Sequence, residues 1–316
     1  MITVPTPDVS VILPTYNRAA LLDRAIISVL EQTAHNIELI VVDDASDDET
    51  TQVLRSYTDA RLITLRHPVR RGAAAARNSG IRISRGDMIA FQDSDDWWEP
   101  QKLARQIAYL RASPPRVAVV YCRFRHIGPG HNIVRPSLTR VLASQLAVPG
   151  RQLQGDLSAA LVRGNFITTQ TALIRRECLL TVGGFDEQLS RFQDWDLWLR
   201  IAQQYQFVYL TAPLVTTYVA PARISDDAGA LETAFARLVS KHAGSLPYGY
   251  EIVAQQRYAL GLATWRRAGA RQSLGMILRA IALSPATSVY WVAAARALLS
   301  SSLPHLAITP PTDYTG

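Results

Sequence analysis

The apolar positions fall into two rhythms that alternate along the first two thirds of the chain. Residues 9–13 (VSVIL) form a β-branched run closed by Pro14, the pattern of a strand buried on both faces. In residues 18–32, Leu21, Leu22, Ala25, Ile26, Val29 and Leu30 return at helical spacing, with Asn17 placed to cap them. Leu39 to Val42 reads as a second strand, and Ser46 with Glu49 as a capping box opening a helix to about Tyr57. A strand at 61–65, an alanine-rich helix at 72–84, a strand at 87–91, a helix after Pro100 and a strand at 117–122 continue the alternation.

From the GPG at 128–130 to about Gly155 the pattern degrades. Residues 166–174 (FITTQTALI) then predict a strand, Asp194 to Gln204 an amphipathic helix, and 206–219 two extended segments around Pro213. From Ser225 only helical periodicity remains, over 229–243, 250–267, 270–283 and 286–300. The expected organisation is an α/β domain over 1–224, built as a mostly parallel sheet with flanking helices, a helical region over 225–302, and a frayed tail over 303–316.

Composition narrows the function. Hydrophobic residues make up 48% of the 316 and charged residues 19%, which excludes disorder as the main state. Of 33 basic residues only Lys102 and Lys241 are lysines, and neither follows a glycine, so a Walker phosphate loop is excluded. The net charge of +7 is unevenly spread: residues 1–50 carry nine acids and two arginines, whereas 248–316 carry six arginines against Glu251 and Asp313. No basic stripe is interleaved with aromatics, so a nucleic-acid partner is not expected. Cys122 and Cys178 lie in apolar stretches and fit neither a disulfide framework nor a zinc site. With no leader-like N-terminus and no spanning helix expected, the reading is a cytoplasmic protein with a mildly basic C-terminal surface suited to peripheral contact with the inner face of a membrane.

In an open parallel sheet, ligands bind beyond the carboxyl ends of the strands. Here those positions hold Pro14-Thr15-Tyr16-Asn17-Arg18, then Asp43-Asp44, then Gln92-Asp93-Ser94-Asp95-Asp96. Five carboxylates on one edge repel each other unless a cation neutralises them. Asp93 and Asp95 point to the same side of an extended chain and suit Mg²⁺ or Mn²⁺, which keep positions open for phosphate oxygens.

The ordered set VSVILPTYNR, VVDDASDDET, RRGAAAARNSGI, IAFQDSDDWW and GGFDEQLSRFQDWDLWLRIA, spanning about residues 9–220, resembles the family 2 glycosyltransferases, inverting enzymes of the GT-A fold. The resemblance implies roles residue by residue. Pro14 and Tyr16 match the loop that contacts the nucleotide base, Asp44 the carboxylate that binds uracil, Arg77 and Asn78 the motif near the diphosphate, and Asp95 with Asp93 the metal-diphosphate site. Asp194 matches the general base that deprotonates the acceptor hydroxyl, with Asp196 expected to face the helix exterior or a structural arginine. The implied substrates are a nucleotide-sugar donor, UDP-linked in preference, and a glycan, lipid-linked or protein hydroxyl.

Two departures stand out. The family often has Glu at the position of Gln193, and many relatives carry Arg and His where this chain has Val219 and Pro221, with Arg223 as a stand-in. No histidine is expected as a ligand: His67, His126, His131 and His242 read as surface or packing residues. Trp97 and Trp98 fit either the core or a sugar platform, and of Trp195 and Trp198 one is expected to pack and the other to line the acceptor cleft. A processive synthase would need membrane helices and a QxxRW motif, and a nucleotidyltransferase a glycine-rich basic loop after the first strand. The remaining alternative is an inactive nucleotide-binding scaffold that presents its helical tail to a partner.

Overall fold

The computed structural model describes residues 6–127, 152–218, 228–244, 249–302 and 308–311. In chain order the elements are β1 (Val9–Thr15), α1 (Ala19–Leu30), β2 (Ile37–Asp43), α2 (Thr50–Arg55), β3 (Leu62–Arg66), α3 (Ala73–Ile83), β4 (Met88–Phe91), β5 (Trp97–Trp98), α4 (Lys102–Ala112) and β6 (Val117–Ile127). They continue as α5 (Ser158–Leu161), a 3₁₀ turn (Thr169–Thr171), β7 (Ala172–Arg175), α6 (Arg176–Val182), α7 (Gln193–Ala202) and β8 (Gln206–Tyr218). The last are α8 (Ala228–His242), α9 (Tyr250–Ala268), α10 (Ala270–Leu283) and α11 (Ser288–Ser302).

The strands form one sheet in the order β3-β2-β1-β4-β7-β6-β8-β5. Pairs β3/β2, β2/β1 and β1/β4 are parallel, with Val9 opposite Ile37 on one side and Met88 on the other. β7 runs antiparallel to both β4 and β6, β8 is parallel to β6, and β5 is antiparallel to β8. The sheet is therefore mixed, parallel in its first half. Every residue of β1 and β2 is buried, as their unbroken apolar runs predict. Leu22, Ala25, Ile26 and Val29 of α1 close one face of this core.

Three expectations change. Only residues 172–175 of the apolar stretch 166–174 onward enter the sheet, because the chain first makes the 3₁₀ turn that brings β7 in antiparallel. The two segments around Pro213 are one strand, and its register against β6 shifts near Cys122 and Arg123 to take up the proline. The tail falls partly outside the described residues, but Ile308 packs on the helical core and the Arg266 guanidinium donates to the Pro311 carbonyl at 3.4 Å.

The described chain divides into two compact units. The first holds the sheet and its helices; the second holds residues 158–166 with the helices from α8 onward. In the second, α9, α10 and α11 share a core of Tyr258, Leu262, Trp265, Ile277, Ile281, Tyr290 and small alanines.

β1 lies between β2, reached in one direction, and β4, reached in the other, so the strand order reverses there. Loops after neighbouring strands diverge at such a point and leave a crevice. The predicted site residues after β1, β2 and β4 border it.

Candidate active site

Among the described residues three non-glycine residues have positive φ: Asn17 (φ 50), Ala45 (φ 65) and Phe192 (φ 60). They follow β1, follow β2 and precede α7, so all three strained turns flank the predicted site, where strain commonly collects. Asn17 ties two of these loops together. Its Nδ2 donates to Asp47 Oδ1 at 2.6 Å, its Oδ1 accepts from the Asp47 N–H at 3.0 Å, and its own N–H donates to Ser46 Oγ at 3.0 Å. It therefore does not cap α1. The cap position is Arg18, and Asp48 Oδ2 reaches across to accept the Ala19 N–H at 3.0 Å. The same carboxylate accepts the Thr50 N–H at 3.0 Å through Oδ1, which replaces the expected capping box at Ser46 and Glu49. Pro14 is buried inside β1, and Tyr16 is half-buried with the Arg70 guanidinium 4.2 Å over its ring.

Asp44 is buried and held on several sides. Its Oδ1 lies 2.7 Å from His67 Nδ1 and accepts the Arg71 N–H at 2.9 Å, while Oδ2 accepts the Gly72 N–H at 2.7 Å. Burial raises the pKa of this carboxyl, but the His67 and backbone hydrogen bonds outweigh it and hold the group below the usual range. His67, expected as a surface or packing residue, is instead a buried polar partner of Asp44, and its Nε2 lies 2.9 Å from Ser79 Oγ. The signal was its place: it follows β3 directly, on the same sheet edge as the other loops.

Asp93 pairs with Arg77 at 2.7 Å. The other arm of that guanidinium reaches Gln193 Oε1 at 3.4 Å, and its plane lies 5.4 Å over the Phe185 ring. Arg77 thus joins the carboxylate loop after β4 to the first residue of α7. Burial and the neighbouring Asp93 raise the Asp95 carboxyl, and burial with both neighbours raises Asp96 well above the usual range. Asp96 is occupied by Gln170 Nε2 at 2.8 Å and the Tyr218 N–H at 3.0 Å, and Asp93 shares Oδ1 with Arg77, so the hard oxygen donors for a cation are Asp95 and the second oxygen of Asp93. Among the described residues no cluster of three or more metal-ligating side chains is present. Two carboxylates whose mutual repulsion a cation would relieve fit an Mg²⁺-class ion that takes its other ligands from phosphate and water.

Asn78, which the resemblance matches to the motif near the diphosphate, is engaged by the 185–187 turn. Its amide donates to the Phe185 carbonyl at 2.9 Å and to Glu187 Oε1 at 3.0 Å and accepts the Phe185 N–H at 2.8 Å, so it clamps the 185–187 turn to α3. Gly184 makes room: a Cβ there would stand 2.4 Å from Asn78 Oδ1. Glu187 also takes Arg71 at 3.1 Å.

Asp194 lies in the first turn of α7, where the helix dipole favours a negative charge. Its Oδ1 accepts the Trp195 N–H at 2.8 Å, but the cap position belongs to Phe192. Asp196 is fully buried on Arg200 at 2.8 Å, and Arg200 also donates to the carbonyls of Val182, Gly183 and Gly184.

Both Trp195 and Trp198 are buried, the latter donating to the Ile167 carbonyl at 2.7 Å, so neither lines a cleft as one was expected to. Trp98 is core; Trp97 is half-buried with Arg24 stacked 4.0 Å over its ring. Val219, Pro221, Arg223 and His131 lie outside the described residues.

The family model described as "Glycosyl transferase family 2" matches residues 10–179. An uncharacterized glycosyltransferase of Rickettsia typhi is 33% identical over 206 residues, 63% of this chain and 61% of that protein. An Escherichia coli protein named UDP-Glc:alpha-D-GlcNAc-diphosphoundecaprenol beta-1,3-glucosyltransferase is 39% identical over 102 residues, 32% of this chain and 41% of its own. The chain thus matches between 41% and 61% of the length of these two curated relatives. Among solved structures, Staphylococcus aureus TarS 1-349 in complex with UDP-GlcNAc aligns with a TM-score of 0.63 at 16% identity, over 93% of this chain and 81% of that one. A mannosyltransferase from Pyrobaculum calidifontis in complex with GDP-Man and Mn²⁺ aligns at 0.59 and 23% identity, over 96% and 88%. At these identities the likeness is one of fold, the GT-A arrangement.

Proposed function

The chain belongs to glycosyl transferase family 2, and from that premise we propose that it moves a sugar from a nucleoside diphosphate, UDP in preference, to a hydroxyl acceptor with inversion. The observation that supports this best is the Arg77 guanidinium, which spans from Asp93 on the carboxylate loop to Gln193, the residue next to Asp194. A donor diphosphate beside Asp93 and an acceptor hydroxyl beside Asp194 would then flank one sugar, the placement that a single displacement demands.

In this reading Pro14 and Tyr16 contact the base, Asp44 accepts its ring N–H, and Arg77 faces the diphosphate while Asn78 holds the turn behind it. Asp194 takes the acceptor proton as the acceptor oxygen forms its bond to the anomeric carbon; the bond from that carbon to the phosphate oxygen breaks, and the nucleoside diphosphate leaves. Asp95 and Asp93 would hold an Mg²⁺ or Mn²⁺ ion, which would supply positive charge for the departing diphosphate. The E. coli relative's name points to a lipid-linked glycan as the acceptor class, in keeping with peripheral contact at the cytoplasmic face of a membrane.

Asp194→Asn tests the assignment. Asn keeps the size and an acceptor for the Trp195 N–H, so the melting temperature and UDP affinity should stay near native while transfer falls by about 10²- to 10⁴-fold. Near-native turnover would place the base elsewhere. Asp196 and Glu187 are poor substitutes, since each is already engaged by arginine.

A further inference from the structure

Asp44 does not stand alone on its edge of the sheet. An ionised carboxylate offers about four lone-pair sites, two on each oxygen. Oδ1 has both filled, by His67 and by the Arg71 N–H, and Oδ2 has one filled by the Gly72 N–H. One acceptor site is left on a side chain that is only 5% exposed.

His67 stands between two polar partners, Ser79 and Asp44. Arg82 Nη2 lies 2.7 Å from Ser79 Oγ and can only donate, so the Ser79 oxygen accepts there and its hydroxyl hydrogen is available to His67 Nε2. On its other side the imidazole meets a carboxylate, which can only accept, so Nδ1 carries a proton and donates it to Asp44. The contacts run in line from Arg82 through Ser79 and His67 to Asp44.

We propose that His67 is a specificity-determining residue for the nucleotide: by filling Asp44 Oδ1 it leaves a single acceptor, which suits a base with one N–H on its edge and turns away guanine. Uracil presents one such N–H at N3. Guanine presents N1–H beside the exocyclic amine and calls for both oxygens of a carboxylate at once. The inference rests on the base-reading role proposed above for Asp44, and it makes His67, through Asp44, the positioning residue that sets the choice.

The test is calorimetric titration of the full chain with UDP and with GDP. One hydrogen bond to a charged group is worth about tenfold in affinity or more, so the native protein should bind UDP about tenfold tighter than GDP. His67→Phe keeps a ring but no donor, and should bring the two ligands within about threefold. His67→Asn, whose amide hydrogen can stand where Nδ1–H stands, should restore the preference. A ring that merely filled space would be better replaced by Phe than by Asn, so the order of the variants separates positioning from packing. If Asp44→Asn abolishes the preference while a natively melting His67→Phe retains it, the inference is overturned and the reading of Asp44 stands. If Asp44→Asn leaves the preference intact, or the native protein favours GDP, both fall. Should the Phe variant fail to fold, Ser79→Ala decides: a reduced preference supports the chain of donors, and an unchanged one overturns it.

Discussion

Lys102 is one of two lysines in the chain and is fully buried at the start of α4. Its ammonium lies 3.6 Å over the Trp98 ring, and Nζ has no hydrogen-bond partner among the described residues. The ring attracts the charge, but burial dominates and pulls the pKa down to about 7. Because the folded-state value lies below the unfolded one, the unfolded chain binds more protons between pH 7 and 10.5, and this group makes stability rise with pH across that window. Below about 7 both states are protonated and the penalty is present in full. Lys102→Met should therefore raise the melting temperature at pH 6 more than at pH 9.5, where the native amine is already largely neutral. An equal shift at both values would show that the ammonium is stabilised after all.

At the scale of the element, α7 carries two aspartates with different duties. Asp196 faces inward to Arg200, whose remaining donors close the carbonyls of the 182–184 turn. Arg200→Met would strip a buried carboxylate of its cation and should cost about 3–5 kcal/mol, read as a fall in urea midpoint. Asp194→Asn in the same helix should cost little. Such contrasts explain which parts of the molecule were legible beforehand. β1, β2, α1 and the helices from α8 onward are written in local apolar periodicity and were located within a few residues. The cap of α1 is not legible locally because Asp48 reaches it from the loop after β2, a tertiary contact, whereas at α2 the same carboxylate serves from two residues upstream, in place of Ser46. The span 166–174 is apolar enough for a strand, yet its first half turns so that β7 can enter the sheet antiparallel. Within the candidate site, Asp44, Asp93 and Asp95 were conspicuous as carboxylates after strands. His67 is less so: its place directly after β3 sets it on the same edge, but its partnership with Asp44 and Ser79 is a tertiary fact.

At the scale of the whole molecule, charge and apolar surface are divided along the chain. Between residues 252 and 302 there are six arginines and no acid. Trp291, Val292, Ala295, Leu298 and Leu299 on α11 are exposed, while Tyr290, Ala293, Ala294 and Ala297 of the same helix are buried in the helical core. At about 100° per residue the exposed five cover one apolar stripe, with Ser288 and Ser302 at its two ends, on the side away from that core. Among the described residues no helix is long and apolar enough to cross a membrane. Such a face is suited to the lipid interface rather than to spanning it, where tryptophan would sit at headgroup level and the arginines of this region would favour anionic lipid. The full chain should float with vesicles containing phosphatidylglycerol and less with pure phosphatidylcholine, and added salt should release it. Each large apolar side chain contributes about 1.5–3 kcal/mol when taken out of water, so Trp291→Glu with Leu298→Glu should lower vesicle binding by at least tenfold. The melting-temperature gain on adding UDP should be unchanged, since nothing in α11 belongs to the proposed nucleotide site. Undiminished flotation of the double variant would remove this face as the point of attachment.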